Sequence, residues 1–336
     1  MNNEHNVRLT SAELANLWTQ FMNDSLAACV FSHFLKYIED QDIREVLEFA
    51  SELSHAHLQK LTKFFTDAQY PVPIGFSKKD DVTLEAPPLF SETFMLNYLY
   101  VMTLHGLTGY AGAVGTSVRI DQIDYFTKCN TETTELYAKV VKVMLKKGIV
   151  SRAPFINAPD KVDFVKKQSF LTGWFGNRRP LNAIEVSGIC FNMQKSAVKV
   201  VLELGFSQVA TTKELRQYFH KGAQICEQQF ETLNSILAED HLPAPRKWSS
   251  EVTNSTKPPF SDKLMLFQIL TLVSTAMGYF GAGLAVSQRR DLAAKYELLI
   301  AEIGLYAEDG AELMIEKGWL EQPPMTDDRD KLANLD

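Results

Sequence analysis

Two imidazoles and a carboxylate in the first half of the chain have the types and spacing for metal chemistry: Asp24, His57 and His105. Asp24 belongs to the series Leu14, Leu17, Phe21, Asp24, Ala28, Phe31, Leu35 and Ile38. His57 belongs to Ile43, Leu47, Ala50, Ser54, His57, Leu61, Phe64 and Ala68. Steps of three and four residues put each series on one stripe of a helix facing its neighbours. A turn near Asp40 and Gln41 folds the second helix back on the first, which sets Asp24 and His57 at one level. His105 falls halfway along a later apolar segment, and Asn130, Glu132 and Thr133 fall near the matching level of the segment after it. Two His and one carboxylate are a ligand set for a single iron, manganese or zinc ion. The same Asp24 and His57 can instead satisfy one another as a buried ion pair or hydrogen bond with no metal, and both readings stay open. The corresponding positions of the second half, Ser196 and Gln229, keep polarity but lose the ligands, so no such site is expected there.

Other chemical groups lead nowhere comparable. A di-metal carboxylate centre in a four-helix bundle needs a Glu from each of two helices and a Glu-x-x-His from each of the other two. Glu52 and His55 have that spacing, but at about 100° per residue both turn away from the stripe of Ala50, Ser54, His57 and Leu61. The second half has Gln224 and Glu227 in their place. The same counting turns Cys29 and His33 off the core face of the first helix. Cys29, Cys129, Cys190 and Cys226 are scattered without a C-x-x-C pair and read as small buried apolar residues. Gly109-Tyr110-Ala111-Gly112-Ala113 is not preceded by a strand or followed by Gly-Lys-Ser/Thr, so it reads as close helix packing rather than a phosphate loop. No catalytic or organic-cofactor residue is assigned, and enzymatic activity is left open.

The elements that must position these groups come in duplicate. Pro87-Pro88-Leu89-Phe90-Ser91 and the uncharged run after it return as Pro258-Pro259-Phe260-Ser261 with a second uncharged run. Met144-x-x-Lys147-Gly148 returns as Met314-x-x-Lys317-Gly318. A repeat of this length signals a tandem duplication. Each half carries four long helical patterns, near 10–39, 42–70, 94–118 and 121–147, then 181–208, 212–240, 261–286 and 291–317. Thr10-Ser11-x-Glu13 opens the first in the manner of a capping box, and Gly148 closes the fourth. The long connection between the second and third helices suggests a crossover. The expectation is an all-α chain of two tandem ferritin-like up-and-down four-helix bundles, at 8–154 and 181–325, joined by a linker at 155–180 and ended by an acidic disordered tail at 326–336.

With 41 acidic against 34 basic residues, a net charge of −7 leaves no basic footprint for nucleic acid. The polar start lacks a secretory pattern, which places the chain in the cytoplasm. The two uncharged helices are long enough to span a bilayer, but Asn97, His105, Gln268 and Ser274 within them favour burial, between bundles or against a second copy or protein partner. The linker between Phe164 and Phe175 mixes aromatics with Lys166 and Lys167; docking on the bundles is the main expectation and peripheral membrane contact the lesser one.

Phe21-Met22-Asn23-Asp24-Ser25, the run from Val162 to Leu171, Arg179-Pro180-Leu181-Asn182-Ala183-Ile184-Glu185, Gly205-Phe206-Ser207-Gln208-Val209-Ala210, Phe260-Ser261-Asp262-Lys263-Leu264-Met265 and Gly318-Trp319-Leu320-Glu321-Gln322-Pro323-Pro324 carry a resemblance. Through them nearly the whole chain resembles the uncharacterised tandem ferritin-like proteins of Bacillus and relatives, a domain of unknown function sometimes associated with spore-coat-like proteins. The resemblance implies a double bundle and carries no activity, cofactor or site residue. The residues by themselves favour a structural or interaction role, with a metal-binding protein as the alternative.

Overall fold

The computed structural model describes residues 7–174 and 178–334. Phe175 and Gly176 of the linker, residues 335 and 336 of the tail, and residues 1–6, on which the reading of location partly rests, lie outside them. Ten α-helices form among the described residues: α1 (Ser11–Tyr37), α2 (Gln41–Asp67), α3 (Lys78–Asp81), α4 (Glu92–Thr116), α5 (Ile120–Lys146), α6 (Ala183–Val209), α7 (Lys213–Glu239), α8 (Asp262–Val286), α9 (Arg290–Glu316) and α10 (Arg329–Ala333). No strand forms among them; a single antiparallel bridge joins Phe90 and Val252. The chain is all-helical, and the duplication is visible in the helix lengths. The four long helices are 27, 27, 25 and 27 residues in each half. The stretch after Pro324, expected as a tail, carries the short α10.

Local signals set the helix ends. Thr10 caps α1 and closes a capping box with Glu13, and Asn182 does the same for α6 with Glu185. Asp40, Thr212 and Ser261 cap α2, α7 and α8. Gly148 and Gly318 follow α5 and α9 at φ 66 and 68°, where a side chain would be strained. Glu13 and Glu185 do more than cap their own helices. The Glu13 carboxylate also accepts from the Val118 and Arg119 backbone N–H groups just before α5, and Glu185 accepts likewise from Gln288 and Arg289 before α9. These two buried carboxylates are thus structural, since each ties the start of a first helix to the start of a fourth.

The chain folds as two compact units: residues 1–82, 102–140 and 319–336, and residues 83–101 and 141–318. In the first unit, Leu17 and Phe21 of α1, Leu61, Phe64 and Phe65 of α2, Ala113 of α4, and Tyr125, Phe126 and Cys129 of α5 make one core. Helix α1 is buried on more than the expected stripe. Cys29 and His33, placed off the core by helical phase, are both buried. The reason is the connection after α2: Asp81 of α3 bears on Cys29, and the Phe76 N–H donates to Ser25 Oγ. That connection is held in turn by Glu321, which accepts from the Ile74 and Gly75 N–H groups. At Gly75, φ +61°, a Cβ would also press on Phe21 at 3.1 Å.

The second unit has its own four helices, with the Phe90 ring against Phe206 and Gln268 Nε2 donating to the Tyr98 hydroxyl at 2.8 Å. Helix α8 is the one described helix long and apolar enough to cross a membrane, and Leu264, Leu266, Ile269 and Val273 along it are fully buried in this core. The linker behaves in two ways. Arg179 makes a two-pronged ion pair with Glu185 and stacks on Phe170, and Arg178 pairs with Glu239, so Phe170, Arg178 and Arg179 are docked. Upstream, Phe155, Val162 and Phe164 are exposed.

Candidate metal centre

Seven polar side chains from all four helices of the first bundle meet at one level. Helix α1 supplies Gln20 and Asp24, one turn apart; α2 supplies His57; α4 supplies Tyr110. Helix α5 supplies Tyr125, Cys129 and Glu132, whose i, i+4, i+7 spacing places them on one face. Asp24 and His57 are buried as their stripes require, and Cys129 is fully buried. Asp24 and His57 therefore meet as expected, with Asp24 Oδ2 3.3 Å from His57 Nδ1. The contact is close without being aligned as a hydrogen bond, and both atoms lack a hydrogen-bond partner. The other imidazole nitrogen, Nε2, lies 3.4 Å from Glu132 Oε2.

The ligand atoms of His57, Cys129 and Glu132 all lie within 4.8 Å of one another. This is the one group of three or more His, Cys, Asp or Glu ligands that converges among the described residues. His105, expected to join Asp24 and His57, stands half-buried on α4 outside this group. Cys129, rather than His105, brings its donor atom into the group with His57 and Glu132. The sequence pattern Tyr-x-x-x-Cys-x-x-Glu on α5 was the signal that could have found it. Glu52 and His55 are exposed, as their phase required.

Electrostatics concentrate on the imidazole. Burial opposes its charged form, but Asp24 and Cys129 outweigh burial and raise its pKa from 6.5 to about 11. Burial pushes the Tyr110 and Tyr125 phenols up. Gln20 Nε2 donates to the Tyr110 hydroxyl at 3.4 Å and to Cys129 Sγ at 3.7 Å. The Tyr125 hydroxyl has no hydrogen-bond partner. On one edge Lys128, itself exposed, lies 3.5 Å from Glu132 Oε1.

An imidazole, a thiol and a carboxylate in reach of one point form a donor set for a borderline-soft divalent ion such as zinc. Asp24 on the far nitrogen is where a second carboxylate orients a ligating His and selects its tautomer. Such a set binds metal only as it loses protons, so any affinity rises with pH.

The second bundle has diverged at the same level. Gln229 replaces His57, Leu299 replaces Cys129, and Glu302 stands at the position of Glu132. Gln229 Nε2 donates to Glu302 Oε2 at 3.0 Å and to the Leu299 carbonyl at 3.3 Å, which fills the place with a neutral donor. Ser196, at the position of Asp24, is buried. A different polar cluster lies further along, and residue spacing did not reveal it. Glu203 and Lys199 of α6 are buried beside Cys226 of α7, and neither the Glu203 oxygens nor Lys199 Nζ has an aligned hydrogen bond. Tyr218 and Tyr306 stack over them, with centroids 4.4 Å apart, each hydroxyl donating to the other's backbone carbonyl. Burial raises the Glu203 carboxyl to about 8, against the opposing pull of Lys199, Cys226 and Tyr306.

No curated protein matches the chain in sequence. Among solved structures, a candidate spore coat protein from Bacillus halodurans is similar at 18% identity, over 45% of this chain and 98% of that one, with a TM-score of 0.40. The family described as "Protein of unknown function (DUF3231)" matches residues 1–162 and again 169–332, so the chain belongs to that family and carries its domain twice.

Proposed function

We propose that the first bundle is a metal-binding centre that holds one divalent ion through His57 Nε2, Cys129 Sγ and Glu132, with Asp24 orienting the imidazole. The observation that carries this reading is the convergence of three ligand atoms within 4.8 Å in the middle of the bundle. Asp24 Oδ2, 3.3 Å from the far imidazole nitrogen Nδ1 and without another partner, supports it as the group that would hold the ring with Nε2 toward the ion. The arrangement is ferritin-like in outline, with ligands projecting inward from facing helices, but a thiol stands where two Glu-x-x-His pairs would. Zinc is favoured over iron or manganese by the sulfur.

The test is elemental analysis of protein purified without chelator or affinity tag, beside His57→Ala and Cys129→Ala. Close to one ion per chain is expected, lost or strongly reduced in both variants. Absence of metal in the parent protein, even after incubation with zinc and with ferrous iron under anaerobic conditions, would reduce the cluster to a polar core.

A further inference from the structure

Three protein ligands leave a tetrahedral ion one position short. Two tyrosines flank the imidazole, with ring centroids 5.9 Å (Tyr110) and 6.2 Å (Tyr125) from that of His57. Tyr110 is half-buried and accepts a hydrogen bond from Gln20, whereas the buried Tyr125 hydroxyl has no partner. Tyr125 also precedes Cys129 by one turn on α5, and its hydroxyl sits beside the cysteine sulfur without an aligned hydrogen bond to it. The two halves of the chain offer an internal comparison. Where His57 and Cys129 are replaced by Gln229 and Leu299, Tyr125 is replaced by the exposed Lys295, while Phe126 and Glu132 keep an aromatic Tyr296 and Glu302. The phenol is lost together with the imidazole and the thiol.

Resting on the metal-binding reading above, we propose that Tyr125 supplies the fourth ligand, completing a His57, Cys129, Glu132 and Tyr125 set around the ion. Ligation breaks the phenolic O–H bond, forms an oxygen–metal bond and releases one proton to solvent, with no change of oxidation state. An unpartnered hydroxyl, costly in the free protein, becomes a bonded oxygen. With the thiolate and the carboxylate it places three negative charges around the ion, partly offset by Lys128 beside Glu132. Tyr110, held by Gln20, bounds the site without entering it.

Zinc, which has no absorption of its own, is the probe. Titrating metal-free protein with zinc at neutral pH should produce the ultraviolet difference absorption of one ionised phenol per bound ion. In weakly buffered solution the count of protons released should fall by one in Tyr125→Phe. That variant should still bind about one zinc, about ten-fold more weakly, with no phenolate signal, and Tyr110→Phe should keep the signal. Tyr125→Phe removes one oxygen only, and an unchanged helical circular dichroism spectrum would exclude misfolding as the cause. Zinc binding without the phenolate signal, or a signal that survives in Tyr125→Phe, would overturn the assignment and leave the three-ligand centre standing. No zinc binding in the parent chain would overturn both.

Discussion

Removing the Asp24 carboxylate strands His57 Nδ1 in a buried site with nothing opposite it. Asp24→Ala is therefore expected to destabilise the metal-free protein by about 1–3 kcal/mol, read as a lower urea midpoint at unchanged slope. Because the folded state raises the His57 pKa above its ordinary 6.5 to about 11, the pair's contribution is complete below about pH 6.5 and is lost as pH rises through the folded value. The midpoint difference between parent and Asp24→Ala should accordingly shrink at strongly alkaline pH; a difference that stays constant from neutral to alkaline pH would mean the imidazole is neutral in the folded state. Asp24 and His57 were legible as partners because both sit on stripes whose other members are, Ser54 apart, apolar. His105 was not, since α4 is apolar on nearly every side and its period gives no phase from which to tell which neighbour a residue faces. Cys129 was hidden for a different reason: cysteine is commonly a buried apolar residue, and only its Tyr125 and Glu132 neighbours at helical spacing set it apart.

At the scale of elements, α6, α7 and α9 close on one another through missing side chains. A Cβ at Gly222 would run into Tyr306 and Glu203, and one at Gly310 would run into Tyr218 and Leu270. That close approach buries the Glu203 carboxyl and, in doing so, sets its proton affinity. With a folded value of about 8 against an ordinary 4.5, the carboxyl is held protonated at neutral pH, and its contribution to stability is full below about pH 4.5 and is lost as pH rises to about 8. The loss across that span is a few kcal/mol. Lys195 on the same helix acts with the opposite sign, since burial lowers it to about 6 and favours its neutral form as pH rises. The variant Glu203→Gln separates the two: its urea midpoint should gain on the parent's steadily between pH 5 and pH 8, and equal slopes would show that Glu203 is ionised and paired. Helix ends were readable from caps and glycines, and α2 from its two-sided pattern. Helix α1 was misread on its second side because what buries it there is the connection carrying α3, whose path no local pattern announces.

On the scale of the whole molecule, two copies of one domain keep the same helix lengths and the same Glu13 and Glu185 ties, yet each has a different polar centre. Scaffold and site are therefore separable, and the metal stoichiometry of the chain should be one rather than two. The second bundle retains Glu302 but has Ser196, Gln229, Leu299 and Lys295 where Asp24, His57, Cys129 and Tyr125 stand, so it lacks four of the residues that gather around the proposed ion rather than the frame that positions them. Restoring the first three with Ser196→Asp, Gln229→His and Leu299→Cys replaces the Gln229–Glu302 hydrogen bond by an imidazole facing the same carboxylate and puts a thiol on its helix face. Ser196, Gln229 and Leu299 are all buried, so the new groups would be shielded from water as those of the first bundle are. The triple variant is expected to bind about two zinc ions per chain, and combining it with His57→Ala should return the count to about one, now held in the second bundle. A count that stays at one in the triple variant while its helical content is unchanged would show that the centre depends on something particular to the first bundle, with Tyr125, which has only an exposed lysine as its counterpart, the first residue to restore.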